Sequence, residues 1–376
     1  MPGPLPTIFA ATSLSLAACG AVLHGIAALR LRTHLRGAGE TESTATPPLT
    51  LWRALKPGVP DLEGKLDALA LAARADDQIL LGADTGSAEM GVCDSFRDRH
   101  RDRQIDIVPC DPDRAENPKI SKFIQMAPFA RHSNWVLTDS EAMPDAQFIE
   151  AFRREWSASG ADAQTCGYRF AGLRKAPQIL DASPALLTLW PGLMLAGRIN
   201  FTLGACMAVK AADIRAIGGW ERLGCELAED HRLGVLLSAA GRTIRLSQHV
   251  LTLDSDPCGW RDLFRHQHRV AMTYRATAPV GALGLPILHT VGFAALAAAL
   301  HPAWWPPALM VLFVRVLAAV STSRSLKFPV PFLPLVIMAS PFLESAMWVV
   351  AWFSRRVWWS GRWRAVGWRG RLRHGP

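Results

Sequence analysis

No C-x-x-C pair occurs among the seven cysteines, which stand at positions 19, 93, 110, 166, 206, 225 and 258. Thiols scattered in this way exclude a zinc ribbon or a disulfide framework and suit a reducing compartment. No internal repeat divides the chain. Residues 8–29, "IFAATSLSLAACGAVLHGIAAL", contain no Asp, Glu, Lys or Arg. That stretch is long enough to cross a bilayer, which takes about 20 apolar residues. Arg30, Arg32 and Arg36 follow it at once. A cleaved signal peptide is the competing reading, but the run is too long and its basic residues are on the wrong flank. Positive charge stays cytoplasmic, so the N-terminus is expected outside and residue 36 onward inside.

What is abundant is positive charge and tryptophan. Lys and Arg number 41 against 32 Asp and Glu, a net charge of +9. Much of the excess lies after Phe353, in Arg355, Arg356, Arg362, Arg364, Arg369, Arg371 and Arg373. Of 14 tryptophans, those from Trp348 onward crowd beside these arginines, as at a membrane interface. The basic excess is expected to meet a bilayer, with no nucleic-acid partner. Apolar runs return at 278–300, 303–320 and 329–353. The expected organisation is an anchor (1–32), a polar linker (33–48), an α/β domain (49–276), a membrane region (277–354) and a basic tail (355–376).

The region between the apolar runs alternates in period. Strands are expected at 49–55, 78–83, 105–110 and 134–138, and helices at 61–75, 119–130 and 145–158. This rhythm implies a mostly parallel sheet with helices on both faces. Ligands of such sheets bind beyond the carboxyl ends of the strands, where Asp84 and Asp139 stand. "NWVLTDSEAMP" (134–144) ends its apolar run at Asp139 and Glu141. Unpaired charges there are costly to bury, so either they sit in a solvated turn or something positive meets them. Asp76 and Asp77 precede their strand and are expected on the surface.

"LKPGVPDLEGKL" (55–66), "ENPKISKF" (116–123), "VLTDSEA" (136–142), "GACMAVKAADIRAIGGW" (204–220) and "LAEDHRLG" (227–234) occur in this order. Together they resemble the family 2 inverting glycosyltransferases of GT-A fold, in the ceramide glucosyltransferase-like branch that includes the hopanoid-associated enzymes. The resemblance runs from about residue 47 to 275. It implies a UDP-sugar donor, a divalent metal (Mg²⁺ or Mn²⁺) and a membrane lipid acceptor such as a ceramide, a diacylglycerol or a hopanoid polyol. It also implies a bacterial inner-membrane protein with its catalytic domain in the cytoplasm.

The resemblance assigns roles residue by residue. Asp230 matches the general base. Asp139 takes the first place of the metal-binding D-x-D, with Glu141 in the second place because this chain reads D-S-E. Asp84 matches the aspartate that contacts the nucleotide base or ribose, within "ADTGS", a thinner acidic stretch than the family's. Lys56 and Lys119 match lysines near the donor, each a point charge suited to phosphate. The family's Q/R-x-x-R-W becomes "HQHRV" (266–270). Arg269 is retained, His266 replaces the Gln or Arg, and Val270 replaces the Trp. Glu229 is expected to point away from Asp230 and support its loop.

Hard cations want one or two carboxylates and keep the rest of their shell for phosphate and water, which Asp139 and Glu141 can offer. Each residue has a plainer alternative: a solvated turn for Asp139 and Glu141, surface lysines for Lys56 and Lys119, a helix-dipole acid for Asp230, a basic juxtamembrane helix for His266 and Arg269. At the level of function, a polymerising polysaccharide synthase needs more spans and an intact Q-x-x-R-W. A catalytically inactive membrane partner is compatible with "HQHRV" but not with intact "AED" and "TDSE". A transporter would carry paired broken helices, which the apolar runs do not show. In the membrane region, 278–300 and 303–320 are expected as a hairpin. The run 329–353 is expected to be re-entrant, interrupted by Pro329, Pro331, Pro334 and Pro341 and burdened by Glu344, so that the arginine-rich tail stays inside.

Overall fold

The computed structural model describes residues 4–37, 46–256, 258–367 and 369–373. It divides into two compact units. An α/β unit comprises residues 38–170, 198–257 and 359–376, and a helical unit comprises 1–37, 171–197 and 258–358.

The α/β unit is built on β1 (Thr50–Ala54), β2 (Gln78–Asp84), β3 (Gln104–Cys110), β4 (Asn134–Thr138), β5 (Ala163–Thr165), β6 (Tyr168–Ala171), β7 (Cys206–Lys210), β8 (Ile244–Leu246) and β9 (Leu251–Asp254). Seven of them form one sheet in the order β3-β2-β1-β4-β7-β5-β8. β1 pairs parallel with β2 and β4, and β2 with β3, while β7 runs antiparallel to both β4 and β5. Every residue of β1 is buried, as a strand covered on both faces requires, and its run reads as nearly continuous apolar sequence. One face packs Leu51, Leu66, Leu69, Phe96 and Phe152. The other packs Trp52, Phe123, Trp135 and Trp220, with the Trp52 and Trp135 rings 4.7 Å apart. The four strands expected from sequence are present within a residue or so of their expected ends.

Asp77 is a correction. It is 1% exposed, accepts from the backbone N–H of Leu49 at 2.8 Å and pairs with the buried Arg153 guanidinium. A carboxylate immediately before a central strand is buried here because a buried cation meets it.

In the helical unit, four helices are long and apolar enough to cross a membrane: Leu5–Arg36, Ala176–Ala196, Pro302–Leu326 and Leu333–Phe353. A bent pair, Pro279–Leu288 and Thr290–Leu300, turns by 55° at its break. Three expectations change. The first helix continues through Arg36, so the linker begins later than residue 33, and 38–45 lie outside the described residues. The stretch Ala176–Ala196, expected inside the α/β domain, belongs to the helical unit, and so do residues 258–276. The break falls in 279–300, at a 3₁₀ stretch holding Pro286, whereas Leu333–Phe353 is one helix that absorbs Pro341 in its interior.

Glu344 is tolerated in that apolar helix because its carboxylate is satisfied. It accepts from Thr188 Oγ1 at 2.5 Å and Ser340 Oγ at 2.9 Å, with His289 3.8 Å away. Trp348 Nε1 donates to Ala282 O at 2.6 Å. The tail departs most from expectation. Arg362–Val366 and Leu372–Arg373 are paired strands and belong to the α/β unit.

Candidate active site

β4 ends at Thr138 and delivers Asp139 and Glu141 beyond the carboxyl edge of the sheet. The Asp139 N–H donates to Ala205 O at 3.1 Å, and Glu141 O accepts from Asp254 N–H at 3.0 Å. The turn is therefore fixed by its neighbours rather than loose in solvent. The positive partners are lysines. Lys56, just past β1, touches both Glu141 and Asp256. Lys119 Nζ lies 2.6 Å from Asp139 Oδ1 and 3.5 Å from Glu229 Oε1.

Lys119 owes its place to a helix start. Asn117 caps Pro118–Met126, its side chain accepting from the N–H groups of Lys119 and Ile120, and Pro118 suits the first helical position, which needs no N–H donor. One turn on, Lys122 is 3% exposed, and its Nζ is 2.5 Å from Asp84 Oδ1. The spacing "KISK" puts both lysines on one helix face, a signal that identifies Lys122 as well as Lys119. Asp84 thus holds a buried lysine at the end of β2.

Asp230 opens the helix Glu229–Ala239. Its Oδ2 accepts from Gly204 N–H at 2.6 Å and its Oδ1 from His231 N–H at 2.7 Å. A Cβ on Gly204 would stand 2.9 Å from Asp230 Oδ2 and 3.4 Å from Lys119 Nζ, so "GAC" brings bare backbone to the carboxylate. Glu229 does not point away: it accepts from Asn117 Nδ2 at 2.9 Å and faces Lys119. The helix start turns Glu229 onto Lys119 and leaves Asp230 within the field of the same lysine.

The charges compete. Burial raises the pKa of Asp230 above the ordinary carboxylate value, against the pull of Lys119 and two backbone donors. Burial likewise raises Asp139, opposed by Lys119 and reinforced by the charge of Glu141, and raises Glu229 against Lys119. For Lys119 burial works downward, but Asp139 and Glu229 outweigh it and hold the ammonium well above its usual range. Glu141 goes the other way: burial is overcome by Lys56, and its carboxyl titrates low.

Beneath the turn sits Arg53, fully buried in β1. It donates to Thr138 Oγ1 at 3.2 Å and to Lys65 O at 2.9 Å. Burial lowers its pKa to about 10, resisted by Glu141 and Asp139. A lone arginine inside the apolar run "LTLWRAL" was the available clue.

His266 and Arg269 lie in the helix Trp260–Thr277 of the helical unit. His266 Nδ1 is 2.7 Å from Asp181 Oδ1, and Gln267 Nε2 donates to the same oxygen at 2.8 Å. The sequence pattern did not single out Asp181.

Among the described residues no group of three or more His, Cys, Asp or Glu side chains is placed to hold a metal ion. Asp139 and Glu141 offer two carboxylates, and the charge of Glu141 raises the pKa of Asp139. That donor set fits a hard divalent cation that completes its shell with diphosphate and water.

The profile described as glycosyl transferase family 21 matches residues 13–372. No curated protein matches the chain. Among solved structures, mannosyltransferase PcManGT from Pyrobaculum calidifontis, in complex with GDP-Man and Mn²⁺, superposes with a TM-score of 0.51 at 16% identity, covering 90% of this chain and 99% of that one. S. aureus TarS 1–349 in complex with UDP-GlcNAc matches at 0.38 and 10% identity, over 85% and 96% of the two chains, too loose a likeness to carry an argument. The first supports the fold, a GT-A-like sheet. With the profile spanning nearly the whole sequence, the chain belongs to glycosyl transferase family 21 and is a glycosyltransferase that moves a sugar from a nucleotide-sugar donor.

Proposed function

We propose that this enzyme transfers one sugar from a UDP-sugar to a hydroxyl of a membrane lipid headgroup, with inversion at the anomeric carbon. The carrying observation is Asp230: a carboxylate held by two backbone N–H groups, raised in basicity by burial, beside the lysine that also binds Asp139. A general base needs that combination of fixed position and raised pKa. Asp230 accepts the proton of the acceptor hydroxyl as its oxygen bonds to the anomeric carbon. The bond from that carbon to the diphosphate oxygen breaks on the opposite face. One displacement needs no nucleophilic Ser or Cys.

Asp139 and Glu141 would hold a divalent cation, which when bound neutralises charge developing on the departing diphosphate. Lys119 and Lys56, paired with those carboxylates, are the cations next in reach of phosphate. Asp84, tied to Lys122, fits a contact to the nucleoside. The acceptor class, a membrane lipid, rests on the apolar helices; by the motif resemblance a hopanoid polyol with UDP-N-acetylglucosamine is the favoured pair, and a ceramide with UDP-glucose the alternative. Mass spectrometry of lipids from a host lacking such glycolipids, with and without the expressed chain, tests this. A new lipid heavier by one hexose or N-acetylhexosamine is expected, and an unchanged lipid profile refutes it.

For orientation, positive charge favours the α/β unit on the cytoplasmic side of a bacterial inner membrane. The chain leaves that unit at residue 171 and rejoins it at 198, so Ala176–Ala196 begins and ends on one side and is not a crossing. Residues 359–376 also rejoin the unit, so the stretch 258–358 crosses an even number of times. The bent segment Pro279–Leu300 goes out, and Pro302–Leu326 returns, which brings Arg324 and Lys327 inside. Leu333–Phe353 then starts and ends inside, lying along Trp260–Thr277, where Arg275 donates to Ser354 O at 2.9 Å. A cysteine at Arg369 should react with a membrane-impermeant thiol reagent only after cells are opened, and labelling of intact cells would refute this arrangement.

A further inference from the structure

The strands Arg362–Val366 and Leu372–Arg373 pair as an antiparallel hairpin. Ala365 stands opposite Arg373 and Val366 opposite Leu372, and the Gly367 N–H donates to Arg371 O at 2.8 Å. The hairpin does not end there. Leu372 N–H donates to Cys225 O at 2.6 Å, Leu227 N–H donates to Gly370 O at 2.9 Å, and Glu226 sits opposite Arg371 in an antiparallel bridge. Residues 225–227 are thus bridged to its outer strand, and Glu229 and Asp230 follow directly.

The same hairpin grips the other side of the site. Arg364 is 3% exposed. Its Nη1 donates to Glu116 O at 2.5 Å and lies 3.3 Å from Glu116 Oε2. Arg362 pairs with Asp113 at 2.8 Å. Glu116 precedes Asn117, which joins both loops: its N–H donates to Gly224 O at 2.8 Å, its amide donates to Glu226 O and Glu229 Oε2, both at 2.9 Å, and its oxygen caps the helix that begins with Lys119. Neither 113–117 nor 225–228 lies in a strand of the seven-stranded sheet. Their backbones are held by each other and by the tail.

We propose that the C-terminal hairpin is a strap that sets the position of Asp230 relative to Lys119, with Arg364 as its positioning residue. The strap buries a guanidinium on a backbone carbonyl, which a merely solvated basic tail would not do, because an unpaired buried charge is costly. The proposal rests on the reading of Asp230 as the base.

The test uses the full chain in lipid nanodiscs, with UDP-N-acetylglucosamine or UDP-glucose and total membrane lipid. Leu372→Pro removes the N–H that reaches Cys225 and keeps an apolar residue. Its kcat should fall about 10- to 100-fold, the scale of an ångström's misplacement of a reacting group, with donor KM unchanged. The acid limb of its kcat profile should move to lower pH, because a loosened Asp230 loses the burial that raises it. Arg364→Lys keeps charge but not the fork and should fall by less. Wild-type kcat and acid limb in both variants overturn the strap. Should Leu372→Pro not fold, Glu226→Cys with Arg371→Cys in the Arg364→Lys background decides: oxidation should restore kcat, and equal kcat for oxidised and reduced forms overturns the proposal. An Asp230→Asn control that keeps turnover removes the base assignment, while the dependence of kcat on the cross-link still reads the strap.

Discussion

Two buried acidic clusters in this protein are handled in opposite ways. In the helical unit Glu344 is answered group by group, by Thr188 and Ser340 hydroxyls with His289 nearby. In the α/β unit Asp139 and Glu229 share one ammonium, Lys119, which also sits in the field of Asp230. The first cluster is balanced and reads as packing. The second carries more negative charge than its cation answers, and burial raises the pKa of all three carboxylates. Such an imbalance is a mark of functional sites, where a bound cation can supply the missing charge. Chemistry is therefore expected in the unsatisfied cluster and not in the satisfied one.

The largest effect that would break this contrast is at Asp230. Asp230→Asn keeps shape and removes the base, and transfer should drop by about 10²–10⁴-fold while UDP binding persists. Turnover above about a tenth of wild type lies well outside that range and would remove Asp230 from the role. Next comes Asp139→Ala, which should raise the metal concentration needed for activity and weaken UDP-sugar binding together. A wild-type enzyme indifferent to EDTA would rule out the metal role for Asp139 and Glu141 alike.

Gly204→Ala sharpens the geometry. Its Cβ would press on Asp230 Oδ2 from 2.9 Å, and kcat should fall about tenfold or more, as for a displaced catalytic group. Unchanged kcat would show that the backbone approach does not hold the base. The smallest effect is expected from Glu344→Gln, whose amide oxygen accepts from one of the two hydroxyls while its NH2 donates to the other. Its turnover should stay within about a factor of two and its stability within about 1 kcal/mol, the scale of one hydrogen bond. A tenfold loss of turnover there would erase the distinction between the clusters.

The sequence by itself carried the local regularities. Short apolar runs gave the strands 78–83, 105–110 and 134–138, because a strand packed into a sheet must present apolar side chains to the core. A long uncharged stretch marked the first helix because nothing else tolerates so much apolar surface. Asp139, Glu141, Lys119 and Asp230 were legible as motif residues at strand and helix ends, where function on such sheets collects. What tertiary structure alone decided were the partners. Asp77 is buried because Arg153 arrives from far along the chain, and Lys56 belongs to Glu141 and Asp256. The stretch 176–196 looked like part of the α/β domain because its apolar spacing suits a core helix as well as a membrane helix. The tail looked like a membrane-surface segment because composition records charge and not pairing. Only the fold shows Arg364 buried on Glu116 and Leu372 bonded to Cys225. Long-range backbone pairing of this kind leaves no period in the sequence, so the strap on the active-site loops could be read only from the folded chain.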